Sequence, residues 1–181
     1  MSNTSTNLNK KISQRLDELL EEGLNTGRSL FVDCLILNSR GQVFAQKRSS
    51  DRLKFPNCWD LPGGGIEKGE SIQVAAQREL LEELNFELES IVTILDVFDF
   101  DLPKSMQKPG ENYQFRVFQL LVKVIDYSKP ILEVGKAVKY DWFDESNIET
   151  LMEGRSKEVA DDRYLVDTVR KALDWNKKIK D

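Results

Sequence analysis

The chain contains no histidine at all and only two cysteines, Cys34 and Cys58, among 181 residues. A zinc centre built from Cys and His ligands is therefore excluded, and two thiols are too few for a disulfide framework. Both cysteines are expected to be small core or near-core residues. No apolar stretch approaches the roughly 20 residues that a spanning helix needs, and the polar start MSNTSTNLNKK lacks the apolar centre of a secretion signal. No membrane is expected as a partner, and the cytoplasm is the default location. Excess positive charge is missing too. A net charge of −5 argues against specific nucleic-acid binding through phosphate neutralisation, so any phosphate ligand must be held by something other than overall charge. Internal repeats, linkers and low-complexity runs are also absent.

The composition, with 40% hydrophobic and 31% charged residues, is that of a soluble globular chain. Its length suits one domain able to bury roughly two thirds of its unfolded surface. Residues 1–25 are expected to form a polar, mobile tail up to residue 10 followed by a short amphipathic helix through Ile12, Leu16, Leu19 and Leu20, ending near Gly23. Residues 26–181 are expected to form the single domain.

Within that domain SLFVDCLILN and QVFAQKR read as strands joined by NSRG, whose Asn38 and Gly41 suit a hairpin turn, so an antiparallel pair is predicted. A short strand is predicted around Trp59 and Leu61. Residues 71–84 contain neither glycine nor proline, and Ala76, Leu80 and Leu84 recur every four residues, which predicts a helix with one apolar stripe. SIVTILDVFDF, YQFRVFQLLVKV and AVKYDWF read as further strands. A closing helix is predicted from Val159, Leu165, Val166, Val169 and Leu173. Strands, a central helix, more strands and a final helix together indicate an α+β fold with a mixed sheet between helices.

The helix carries the chemistry. At 3.6 residues per turn Glu79 and Glu83 share a face, with Glu82 flanking them, so three carboxylates are expected to converge beside the buried stripe. Unpaired, they repel one another and resist ionisation. A divalent cation resolves the conflict, since Mg²⁺ takes oxygen ligands and bridges carboxylates to phosphates. A solvated acidic face is the plainer reading of such a helix. What tells against it is the setting: Gly63, Gly64 and Gly65 allow a close backbone approach to a ligand, and Glu70 lies just ahead of the helix.

The segment Gly64 to Phe86, with Glu70, Arg78, Glu79, Leu80, Glu82 and Glu83 at matching positions, resembles the box of the Nudix hydrolases, G-x5-E-x7-R-E-U-x-E-E-x-G-U. Asn85 replaces the second glycine of that pattern. Asparagine tolerates the left-handed conformation that ends the helix, so the stop is expected to survive. The resemblance implies a Nudix-like α/β/α sandwich with a mixed β-sheet and a catalytic loop-helix. It also implies a metal-dependent pyrophosphohydrolase acting on a nucleoside diphosphate linked to another group. Glu79, Glu82 and Glu83 would bind Mg²⁺, with Mn²⁺ as the alternative ion, and Glu70 would be a further ligand or would support one. Arg78 would orient a carboxylate through its planar fork. The ions would neutralise the diphosphate and acidify the water that attacks phosphorus in line.

Around the box, Gly63, Gly64, Gly65 and Arg48 are candidates for substrate binding, with Lys47 beside Arg48. Glu83, Glu111 and Glu133 are the candidate general bases. Trp59, Phe98, Tyr113 and Trp142 are candidate stacking platforms, although aromatic residues in strands more often fill a core. The implied partner is a small-molecule nucleotide derivative, and a homodimer is left open. Two other readings stand beside this one. A Nudix-like sensor would bind a nucleotide without cleaving it, but such domains commonly lose box acids and all four are present. A diphosphate isomerase of the isopentenyl type would need a cysteine near Gly63 and a histidine. Cys58 is displaced from that place and histidine is absent. Oxidised nucleoside triphosphates, ADP-ribose, dinucleoside polyphosphates and nucleotide sugars all stay open as substrates, and Pro103 is a slight pointer towards ADP-ribose.

Overall fold

A computed structural model describes residues 2–155 and 163–178. Helix α1 runs over Ser2–Leu24, followed by strands β1 (Ser29–Ile36) and β2 (Val43–Arg48). Two short strands, β3 (Trp59–Asp60) and β4 (Gly63–Gly65), lead into helix α2 (Ile72–Leu84). The long strands β5 (Leu88–Asp101) and β6 (Gln114–Val124), then β7 (Ala137–Phe143) and helix α3 (Tyr164–Lys178), complete the order. Val159, expected in the closing helix, lies outside the described residues. Helix α1 is longer than the short helix expected, beginning at Ser2 and not near Ile12. Leu16 and Leu19 anchor it to the core, and Arg15 pairs with Glu18 and Glu22 at 3.1 Å along its outer face.

The strands form two sheets, with orders β4-β1-β6-β5 and β3-β2-β7. The first is mixed: β1 runs parallel to β6 from Ser29↔Phe115 to Ile36↔Val122, while β4 and β5 are antiparallel to their neighbours. The hairpin expected from β1 and β2 does not form. The turn is there, with the Gly41 amide donating to the Asn38 carbonyl at 2.9 Å and the amides of Arg40 and Gln42 donating to Asn38 Oδ1. Among the described residues only the bridge Leu37↔Val43 joins the two arms before they part into different sheets. The physical reason lies in β1 itself. Val32, Cys34 and Ile36 face one apolar cluster and Leu35 the other, so the strand is buried on both sides and takes a central place between two long-range partners.

Helices cover both sides of the sheets. On one side α1 and α2 bury Leu16, Leu19, Ala76, Leu80 and Leu84 with Phe44, Phe86 and Phe118. On the other, Leu165, Val166, Val169 and Leu173 of α3 pack with Leu35, Trp59, Leu121 and Phe143. Cys34 and Cys58 are buried free thiols, as their small number suggested. Among the described residues no helix is long and apolar enough to cross a membrane.

Candidate active site

Local sequence sets α2 in place at both ends. Ser71 caps its start, Oγ accepting from the Val74 amide at 3.2 Å. At the other end Asn85 adopts φ 55° and ψ 37°, and the Phe86 amide returns to the Leu80 carbonyl at 3.0 Å. The helix stop thus survives without the glycine. Facing the helix, β4 threads the three glycines against β1, with Val32 opposite Gly64. A Cβ on Gly64 would lie 2.2 Å from Glu79 Oε1, so only glycine lets the backbone meet this carboxylate. A Cβ on Gly63 would strike the Val32 carbonyl at 2.0 Å.

Arg78 is the hub of the acidic group. Its Nε and Nη2 donate to the two oxygens of Glu70 at 3.0 Å each, Nη1 donates to Glu79 Oε1 at 2.7 Å, and Nη2 reaches the Gly65 carbonyl at 2.7 Å. One planar fork thereby ties the helix to the glycine strand and to the loop between them. The guanidinium holds the Glu70 carboxyl below its ordinary range.

The expected convergence of three helical carboxylates is only partly present. Glu79 and Glu83 are buried, at 7% and 0% exposure, whereas Glu82 is 58% exposed and turned to Arg78 Nη1 at 3.4 Å. Among the described residues no three acids lie close enough to hold one ion together. Beside the two buried acids stands a lysine that sequence reading passed over. Lys136, in the loop before β7, puts its ammonium against Glu83 Oε1, 3.7 Å from Glu79 Oε2 and 3.4 Å from the Gly63 carbonyl. Gln46 donates to the other oxygen of Glu83, and its own Oε1 is buried without a partner. Burial pushes the Glu83 carboxyl up, and the attraction of Lys136 works against that rise.

The other candidates separate clearly. Glu133 comes to the site, its amide on the Glu83 carbonyl at 3.0 Å and its carboxylate 3.8 Å from Lys136. Glu111 lies elsewhere, paired with Lys54 at 3.4 Å. Arg48 reaches the cavity beside the glycines but is engaged by Asp60 at 2.8 Å and the Lys54 carbonyl at 3.0 Å. Lys47 pairs with Glu153 at 3.3 Å and lies over the Trp59 ring. Trp59 and Phe98 line the cavity. Trp142 instead packs on Phe44 and Tyr127, and Tyr113 is exposed.

That cavity, about 580 Å³, opens against Gly63–Gly65, Glu79 and Lys136. The rings of Phe31, Phe98, Phe100 and Phe115 form an apolar wall, and Arg48, Arg52, Lys54 and Arg155 bring positive charge to it. Asp33 is a second feature that sequence reading missed. It lines the cavity from the centre of β1, where Tyr164 Oη donates to Oδ2 at 2.6 Å and Gln119 supports Tyr164 at 2.7 Å. Burial, helped by the charge of Asp60, pushes its carboxyl up to about 7 against the pull of those hydrogen bonds. Its sequence signal was a charged residue inside an apolar strand.

Comparison with known proteins agrees with this arrangement. Residues 28–164 match the NUDIX domain. The chain belongs to the Nudix hydrolase family. It is 27% identical over 124 residues to a nucleoside triphosphatase NudI of Enterobacter sp. (strain 638), a match covering 68% of this chain and 88% of that relative. It is 38% identical over 76 residues to an RNA pyrophosphohydrolase of Afipia carboxidovorans, covering 40% of this chain and 46% of the relative. Among solved structures, a MutT protein from Methanosarcina mazei Go1 superposes with a TM-score of 0.60 at 22% identity, covering 83% of this chain and 96% of the other. An Ap4A hydrolase of C. elegans does so at 0.57 and 19% identity, covering 83% and 98%. The last two matches speak to fold alone. The mixed sheet between helices is therefore the α+β Nudix arrangement that the box implied.

Proposed function

We propose that this Nudix hydrolase is a metal-dependent pyrophosphohydrolase that cleaves the diphosphate of a nucleoside diphosphate linked to another group, by in-line water attack at phosphorus. One observation carries the reading: two buried carboxylates, Glu79 and Glu83, face a glycine strand at the mouth of a cavity with aromatic walls and a cationic rim. Buried acids in such a place need a cation, and the oxygens gathered there are the hard donors that Mg²⁺ or Mn²⁺ prefers. The ammonium of Lys136, surrounded by Glu83, Glu79 and the Gly63 carbonyl, supports the fit of a positive charge at that point. Glu79 and Glu83 would hold the ion with Glu82, and Glu70 would stay on Arg78 to support them. When bound, it would neutralise the diphosphate and favour ionisation of the attacking water.

The remaining work falls to the chain's own groups. Gly63–Gly65 let the phosphates approach the backbone, and the rim cations, Arg48 among them, attract them to an acidic protein. Arg78 keeps Glu79 and Glu70 oriented, as a bidentate guanidinium can and an ammonium cannot. Glu133 takes the proton from water. It is 45% exposed and 3.8 Å from Lys136, whereas both oxygens of Glu83 are already occupied. The nucleoside enters the aromatic end of the cavity, where Phe98 and Phe31 offer faces for stacking. We place the reaction in the cytoplasm.

A hydrolysis panel tests this. Nucleoside triphosphates head it because the NudI relative is named for them, followed by ADP-ribose, dinucleoside polyphosphates and nucleotide sugars. Phosphate-containing products should appear with Mg²⁺ and vanish in excess chelator. Binding without hydrolysis of any member would make the chain a sensor instead.

A further inference from the structure

Lys136 is the group at this site that neither the box nor the family match assigns. We propose that Lys136 is a tethered cation that holds Glu79 and Glu83 in the ion-free enzyme and must be displaced for the divalent ion to bind. It thereby sets the ion concentration at which the enzyme becomes active. The inference rests on the metal-dependent reading above and concerns what this chain adds to it.

The argument begins with charge. Glu83 is fully buried, and among the described residues its only ion-pair partner is Lys136. Arg78 is already committed to Glu70, Glu79 and the Gly65 carbonyl. Without Lys136 the ion-free enzyme would carry a buried, uncompensated carboxylate, which is strongly destabilising. The same lysine approaches Glu79 Oε2 at 3.7 Å and the Gly63 carbonyl at 3.4 Å, so it sits among the very oxygens an ion would use. With the ammonium still in place a divalent ion would have to share these oxygens with it, and two cations a few ångströms apart in a poorly solvated site repel strongly. Exchange is therefore favoured over coexistence. A landing place is at hand in the cavity that Lys136 already lines, where the substrate phosphates would lie.

A counter-ion that merely props up the fold and a competitor for the ion make opposite predictions. Mn²⁺ titration followed by electron paramagnetic resonance, in the absence of nucleotide, separates them. Lys136→Met should bind Mn²⁺ at least tenfold more tightly than the wild type, whereas loss of a prop would loosen the acids and weaken binding. A second measurement uses the wild-type protein with ¹³C-labelled lysine, the Lys136 signal being assigned with Lys136→Arg. Saturating Mg²⁺ should move that signal to a solvent-exposed position. This arm stands even if Lys136→Met does not fold. Equal or weaker Mn²⁺ binding in Lys136→Met, or a Lys136 signal unmoved by saturating Mg²⁺, overturns the proposal while the metal-dependent reading survives. Absence of Mn²⁺ binding in both proteins would remove that reading and this proposal together.

Discussion

Replacing Asp33 by asparagine should flatten the dependence of stability on pH. The Asp33 carboxyl is raised from an ordinary 3.8 to about 7 in the folded protein, chiefly because burial disfavours its charge. In the unfolded chain it loses its proton near 4. Between pH 4 and 7 the unfolded state therefore binds fewer protons than the folded one, and stability falls as pH rises. The contribution is fully present below pH 4 and lost above pH 7. A shift of this size corresponds to about 4 kcal/mol, an upper bound because Asp33 lines the cavity and is only partly buried. Asparagine is neutral at every pH and still accepts from the Tyr164 hydroxyl. Urea unfolding at pH 4 should thus find Asp33→Asn close to the wild type, and at pH 8 more stable by up to about 4 kcal/mol. Parallel stability curves for the two proteins from pH 4 to 8 would refute the reasoning.

Two further substitutions test the geometry around α2. Gly64→Ala places a methyl group 2.2 Å from Glu79 Oε1, which must drive that carboxylate off Arg78. Thermal unfolding should show a loss of about 1–3 kcal/mol, and steady-state assays a fall in turnover larger than any rise in KM. Arg78→Lys removes the fork that joins Glu70, Glu79 and the Gly65 carbonyl. It should cost roughly 10–100-fold in activity or metal affinity, the usual effect of losing a group that orients ligands. Circular dichroism should show the fold retained.

The helix and its acids were legible in the sequence because their logic is local. The four-residue repeat of Ala76, Leu80 and Leu84 marks the buried stripe, and the tolerance of asparagine for a left-handed backbone explains the stop at Asn85. The pairing of β1 was not legible. Its turn signal at Asn38 and Gly41 is also local, but its partner is β6, and the apolar demand on both faces of β1 outweighed the turn. Lys136 escaped for a related reason. It meets Glu83 across 53 residues, through a loop whose sequence has no pattern of its own. The same contact makes Glu83→Gln more than a surface exchange. Glu83 is fully buried and ion-paired, so that variant should also lose about 1–3 kcal/mol.

The most direct test follows the hydrolysis products by ³¹P nuclear magnetic resonance in ¹⁸O-labelled water with Mg²⁺, using wild type and Glu83→Gln side by side at a temperature where both are folded. The wild type should release products carrying ¹⁸O on phosphorus, with Glu83→Gln slower by about a hundredfold or more. Equal rates in the two proteins, or undiminished release in excess chelator, would contradict a reaction centred on these carboxylates.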